Sequence, residues 1–174
     1  MIQRKIKETV RNMYHHGIED EYFVMNAVQE TLGGECYKSS RKEDMFQHID
    51  FWWKSPKKGL IGIDVKGRKK NKRNDKTYDD SMSWIEILNV RGDPGWIYGK
   101  AEYIAFRTER QILFVKTSVL RKFAEEKIQN KQLVFESPQE FYIPYQRKKY
   151  GRKDMMIKVP MDDIIQLSEF TIIL

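Results

Sequence analysis

The stretch His48-Ile49-Asp50-Phe51-Trp52-Trp53-Lys54-Ser55-Pro56-Lys57-Lys58-Gly59-Leu60-Ile61-Gly62-Ile63-Asp64-Val65-Lys66-Gly67 decides the fold. Two apolar runs, HIDFWW and LIGIDVKG, flank SPKKG, which has the composition of a five-residue loop, so the segment predicts a β-hairpin. Side chains alternate across a strand, which sets His48, Asp50 and Trp52 on one face and Ile49, Phe51 and Trp53 on the other. On the returning strand Asp64 and Lys66 share a face, while Ile61, Ile63 and Val65 form an apolar, buried one. A turn centred on Lys57 pairs Phe51 with Ile63, Ile49 with Val65, Trp52 with Gly62 and Asp50 with Asp64, and the apolar partners support that register.

Upstream, Ile2, Ile6, Val10 and Met13 recur at helical spacing before His15-His16-Gly17, which predicts a helix ending at the glycine. A second helix is expected from about Glu19 to Leu32, with Tyr22, Met25, Val28 and Leu32 as its apolar stripe and Gly33-Gly34 as its stop. Glu35 to Lys38 reads as extended, and Ser40-Arg41-Lys42-Glu43 reads as a capping box. Downstream, strands are expected at Ser83–Val90, Glu102–Arg107 and Gln111–Thr117. A helix capped by Ser118 should follow, carrying Leu120, Phe123, Ala124 and Ile128 on one face. Leu133–Phe135, Glu140–Ile143 and Met155–Val159 belong to a less regular remainder, Pro160 starts a short helix, and Phe170–Leu174 is a last apolar strand. Helices first and a largely antiparallel sheet in the middle give an α+β class.

A chain of 174 residues with 40% hydrophobic and 13% aromatic content fills one ordinary domain. Thirty-two Lys and Arg against 25 Asp and Glu leave a formal charge of +7, which favours a polyanionic partner. The single cysteine, Cys36, excludes an intramolecular disulfide and a Cys-based zinc site and suits a reducing compartment. No run resembles a secretory core or a membrane span, so a cytoplasmic protein with no membrane partner is expected.

Two carboxylates opposite each other on paired strands stand roughly 5 Å apart at Cβ, and like charges there need neutralising. A divalent cation does this, since Mg²⁺ is commonly held by one or two carboxylates with water and phosphate oxygens completing its shell. Lys66, on the same face as Asp64, then orients a water or balances charge on a phosphate. Exposed Asp and Lys trios are ordinarily surface ion pairs of little consequence. Here the flanks Ile-Asp-Phe-Trp-Trp and Gly-Ile-Asp-Val-Lys-Gly embed the carboxylates in apolar strands, where charge is costly and usually functional.

Ile49-Asp50 with Ile63-Asp64-Val65-Lys66 resembles the PD-(D/E)xK nuclease signature, an acid, a turn and an acid-x-Lys strand on a shared αβββαβ core. That family includes type II restriction enzymes, Holliday-junction resolvases and assorted phage nucleases. The resemblance covers about residues 19–129 and implies a restriction-endonuclease-like core, a mixed central sheet flanked by helices. The chain adds an N-terminal helix and a C-terminal elaboration over 130–174, all within one nuclease domain spanning 1–174. It implies that Asp50 and Asp64 bind Mg²⁺, with Mn²⁺ as substitute, and that Lys66 completes catalysis. Ile49 stands where the nominal motif has proline, and Asp64 where glutamate is commoner. Many members carry a further acid on the helix before the sheet; Glu21 is the choice for this metal and catalytic position, with Glu19 and Glu30 as rivals. His48 is a lesser candidate from the strand face of Asp50.

The hairpin runs into Arg68, Lys69, Lys70, Lys72 and Arg73, a loop too polar to pack, which beside such a centre reads as a clamp on a nucleic-acid backbone. Arg147, Lys148, Lys149 and Arg152 form a second basic cluster. Trp84 and the turn Gly95-Trp96-Ile97-Tyr98-Gly99 suit core packing or base stacking, and Glu86 is a further candidate acid. The expectation is a Mg²⁺-dependent DNA endonuclease, with branched DNA as a candidate substrate and a homodimer as its corollary. The alternatives are a nucleic-acid-binding protein that no longer cuts and a metal-dependent RNase.

Overall fold

The computed structural model describes residues 2–70, 77–146 and 151–174, with side chains from Gly17 onward. Its class is α+β. Helix α1 spans Ile2–Leu32 without a break, so Gly17 does not end a helix as expected. A Cβ on Gly17 would meet nothing, and an interior glycine costs a helix only about 1 kcal/mol, which is too little to stop it. Gly33 and Gly34 do stop it, both at positive φ.

Strand β1 (Glu35–Lys38) leads to the short helix α2 (Arg41–Gln47), which carries the full capping box between Ser40 and Glu43. Strands β2 (Phe51–Ser55) and β3 (Gly59–Lys66) form the hairpin in the anticipated register, Phe51 against Ile63 through Ser55 against Gly59. Its turn is therefore Pro56-Lys57-Lys58, shorter than five residues, with Gly59 at positive φ closing it. Next come β4 (Met82–Leu88), a 3-10 turn (Trp96–Tyr98), β5 (Tyr103–Arg107), β6 (Gln111–Lys116) and α3 (Thr117–Ile128). Lys116, and not Ser118, occupies the N-cap of α3, which has no side-chain cap. Strands β7 (Tyr145–Gln146) and β8 (Met155–Pro160), helix α4 (Met161–Leu167) and β9 (Phe170–Ile173) finish the chain. Val134 makes only an isolated bridge to Tyr145; neither 133–135 nor 140–143 forms a strand.

The main sheet runs β1-β2-β3-β5-β6-β9, and its single parallel pair is β3 with β5. A second sheet, β4-β8-β7, is wholly antiparallel. Strands β5 and β6 read Tyr-Ile-Ala-Phe and Ile-Leu-Phe-Val because both faces of the main sheet are covered there. On one face Val24 and Val28 of α1 pack against Phe51, Trp53, Ile61 and Ile63, with Cys36 half-buried at the margin. On the other, Ile85, Trp96, Leu120, Ile157 and Ile164 close over Ile104 and Phe106. Ile49 joins this second cluster, whereas Phe51 joins the first, so the expected alternation breaks just before β2. Among the described residues no helix is long and apolar enough to cross a membrane.

Candidate active site

Asp64 lies in the middle of the sheet. It pairs with Ile104 across the parallel β3–β5 ladder, on the face closed by the second core, and is only 3% exposed. Burial on that face arises because Gly62, two residues earlier, lets Ile49 and Trp52 press against the strand, a Cβ there meeting both at 3.2 Å. Lys66 donates to Asp64 Oδ1 at 2.6 Å, while Oδ2 is buried without a hydrogen-bond partner. The Lys66 ammonium also sits 4.5 Å from the centre of the Trp96 ring, a cation–π contact that fixes its stem and head together. Trp96 in turn stands edge-on to Phe106, Lys66's partner on β5. The aromatic turn therefore packs and positions a lysine.

Asp50 is 8% exposed and stands at the entrance of β2. The expected cross-strand pair with Asp64 is not part of the ladder, which ends at Phe51 and Ile63, and Ile49 with Val65 is lost as well. The cause is the entry of the chain from α2: His48 caps that helix at φ 53, and Ile49 donates its N–H back to Glu43. Asp50 replaces the missing ladder bond with its side chain, Oδ2 accepting the Val65 N–H at 2.7 Å, while its own N–H donates to Ile63. Burial pushes the Asp64 carboxyl well above the ordinary carboxylate range; Lys66 opposes the rise, and the charge of Asp50 adds to it.

Around this pair the chain gathers several groups. Glu21, half-buried on α1, forms an ion pair with Lys38 of β1. Its carboxyl is raised first by burial and then by the charge of Asp50, so Glu21 is the helix acid that senses the centre. Its rivals Glu19 and Glu30 are exposed. His48 is lowered by burial and by Lys66, and Asp44 of α2 is raised by partial burial and by Asp50. Glu86 is raised chiefly by burial, against a backbone hydrogen bond from Trp96 and the charge of Lys66, which places it beyond the lysine. Sequence reasoning does not single out Lys38, Asp44 or Asp20, nor the part played by Trp96; a lysine on a strand flanking the motif is the available signal for the first. Asp20 binds Arg107 at 2.5 Å and abuts Gly67, where a Cβ would lie 1.8 Å from its Oδ2.

Among the described residues no group of three or more His, Cys, Asp or Glu side chains is arranged to cage a metal. Glu21 is held by its ion pair with Lys38. The carboxyl groups of Asp50 and Asp64, with an orphaned buried oxygen on the second, suit a hard divalent cation that keeps water and phosphate as its other ligands.

The basic residues of the adjoining loop are partly committed. Arg68 binds Asp80 at 2.8 Å and lies over the Tyr78 ring, and Lys70 approaches the same ring. Arg152 makes a two-point bond with the buried Asp154. Lys72 and Arg73, like Arg147, Lys148 and Lys149, lie outside the described residues. Trp84 stands 6.3 Å from Tyr145 on the small sheet. Comparison with known proteins returns no match: no family model, no curated protein and no solved structure matches this chain.

Proposed function

We propose that this chain is a metal-dependent endonuclease that hydrolyses DNA phosphodiester bonds, as its resemblance to PD-(D/E)xK nucleases implies. One observation carries the reading: a carboxylate 3% exposed, with one oxygen unbonded among the described residues, is bonded by a lysine and lies in the field of a second carboxyl group. Unneutralised charge of this kind is costly in a fold and is found where chemistry needs it. Asp50 and Asp64 would hold Mg²⁺, or Mn²⁺ in its place, with Glu21 as the nearest further acid on α1. The bound cation supplies neutralising charge and Lewis acidity toward a phosphate oxygen.

The chain's own residues have distinct parts. Val65 and Asp50 lock together through the 2.7 Å bond, which ties the first carboxylate to the strand of the second. Lys66, steadied by Trp96, presents an ammonium that orients an attacking water or balances charge growing on the phosphate. The αβββαβ core of the resemblance would fall on α1, β1 to β3 and β5. In this chain β4 and the 3-10 turn occupy the passage from β3 to β5, where that core has a helix. Branched DNA is the substrate subclass we favour, and it brings a homodimer with it, because cutting two strands needs two centres.

The test is nicking and junction cleavage by purified protein with and without Mg²⁺. Wild type should cut only with metal, and Asp64→Asn and Lys66→Ala should each lose at least about 100-fold in rate. Metal-dependent cutting that survives both changes overturns the site; salt-sensitive DNA binding without metal affinity points to the non-cutting alternative, and a preference for RNA to the ribonuclease.

A further inference from the structure

We infer that Lys69 is a second lysine of this site, binding a phosphate oxygen of the substrate backbone beside Lys66. The inference rests on the nuclease reading and changes the part Lys69 plays, from one of several loop charges adding affinity to a group at the reacting centre. Three other cations of this corner have carboxylate partners: Lys66 has Asp64 at 2.6 Å, Arg107 has Asp20 at 2.5 Å and Arg68 has Asp80 at 2.8 Å. Lys69 is half-buried, and its ammonium has no hydrogen-bond or ion-pair partner among the described residues.

Its place is fixed from the backbone. The Lys69 carbonyl accepts the Asp79 N–H at 2.7 Å, forming a bridge that pins the first residues after β3. Gly67 holds the chain just before it against Asp20, leaving no room for a side chain. Lys69 and Lys66 line one cavity there. Burial pushes its ammonium below the ordinary lysine range and Lys66 pushes it further, while Asp20 and Asp64 pull the other way. Lys69 also lines, with Lys66, Arg68, Arg107, Asp79 and Asp80, a cavity of about 10 Å³, the size of one water or one phosphate oxygen, in which the cations outnumber the carboxylates.

An unpaired, half-buried ammonium is costly in the free protein, and an incoming phosphodiester anion removes that cost. Lys66 alone cannot take this role fully, because its ammonium is already shared between Asp64 and Trp96. A free phosphate and a nucleic-acid phosphate offer the same oxygens, so the two sources must be separated by experiment.

Wild type, Lys69→Met, Lys69→Arg and Lys122→Met are compared in single-turnover DNA cleavage, in DNA binding across salt, and in thermal melts with and without inorganic phosphate. Lys69→Met should cut about 100-fold more slowly at saturating DNA, as the loss of one charge-stabilising donor does. Lys69→Arg should recover part of the rate, and Lys122→Met, at an exposed lysine of α3, should leave both rate and binding unchanged. Lys69→Met should melt no lower than wild type, since an unpaired charge has been removed. Stabilisation of wild type by inorganic phosphate, absent from Lys69→Met, would make free phosphate a ligand too; stabilisation by DNA alone restricts the site to the polymer. A rate loss no greater than that of Lys122→Met, or a lowered melting temperature for Lys69→Met, overturns the inference. Should wild type cut nothing, the nuclease reading falls by itself, and binding decides Lys69: a salt slope lower by about 0.9 in Lys69→Met keeps the phosphate contact, and an unchanged slope removes it.

Discussion

Replacing Asp64 by asparagine should abolish metal-dependent cleavage and, at the same time, make the metal-free protein more stable. Asp50, Asp64 and Lys66 together carry one excess negative charge in a region where Asp64 is 3% exposed. The amide introduced by Asp64→Asn keeps an oxygen to accept from Lys66 and puts an N–H in place of the orphaned oxygen, so the excess formal charge disappears. A buried polar atom left unsatisfied costs about 1–3 kcal/mol, and one such oxygen is present. Against the gain stands the weakened ion pair of Lys66, whose side chain is 16% exposed and keeps its place on Trp96. The net is a gain of about 1–2 kcal/mol, or roughly 2–8 °C in Tm for a chain of this size. Lys66→Ala moves the same trio to two excess negative charges and should lower Tm by a similar amount. Differential scanning calorimetry in EDTA reads both. With Mg²⁺ at about 100 times its Kd, wild type should gain a further ~2.7 kcal/mol, and Asp64→Asn nothing. A lower Tm for Asp64→Asn in EDTA would refute the claim that this carboxylate is held at a cost to stability.

Gly67→Ala places a Cβ within 1.8 Å of Asp20 and should cost about 1–3 kcal/mol as an overpacking change; the double variant with Asp20→Ala should be less destabilised than Gly67→Ala alone in urea unfolding. Glu21→Gln should slow cleavage by about 10-fold to 100-fold, in the range of residues that orient a ligand, measured at saturating metal; a rate equal to wild type would remove Glu21 from the site. Glu169 is held down to about 2 by Lys116, Lys58 and the Tyr103 hydroxyl. A lowered folded-state value means stability that is present above the ordinary glutamate value of 4.5 and is lost as pH falls toward about 2. Glu169→Gln should therefore melt below wild type at pH 7, with the gap narrowing as pH drops through that window.

The hairpin is legible in the sequence because its pattern repeats on both strands: the apolar partners Phe51 and Ile63 fix a register that no slip of one residue can match. The loss of the Asp50 and Asp64 ladder pair is not legible, since it depends on how α2 delivers the chain into β2, and His48 at φ 53 leaves no mark in composition. Strands β5 and β6 show in their apolar runs, but their neighbours are set by long-range pairing, so spacing cannot reveal a parallel β3–β5 contact. Helix α1 divides in two on paper because a glycine after two histidines imitates a stop. Position favours Glu21 among the acids of α1, and the structure separates it from Glu19 and Glu30 by burial against Lys38. Asp20 escapes a reading by sequence because its partners, Gly67 and Arg107, are distant along the chain.

The two aspartates of the centre are not equivalent, and their difference bears on how the site is held together. Asp50 spends one oxygen on the Val65 N–H and its carbonyl on Ser39, so it is bound to β3 and to the segment after β1 by the same residue that offers a ligand. The Asp64 side chain has no such backbone duty; Lys66 donates to one of its oxygens and the other is orphaned. A carboxylate in that state neither builds the sheet nor faces solvent, and burial alone would favour an apolar residue between Ile63 and Val65. Surface ion pairing, the ordinary account of Asp and Lys two residues apart on a strand, requires the water that this position lacks. The geometry instead separates support from chemistry: Asp50 anchors, Lys66 is steadied by an aromatic ring, and Asp64 is left with an unmet demand for positive charge at the point where the two meet.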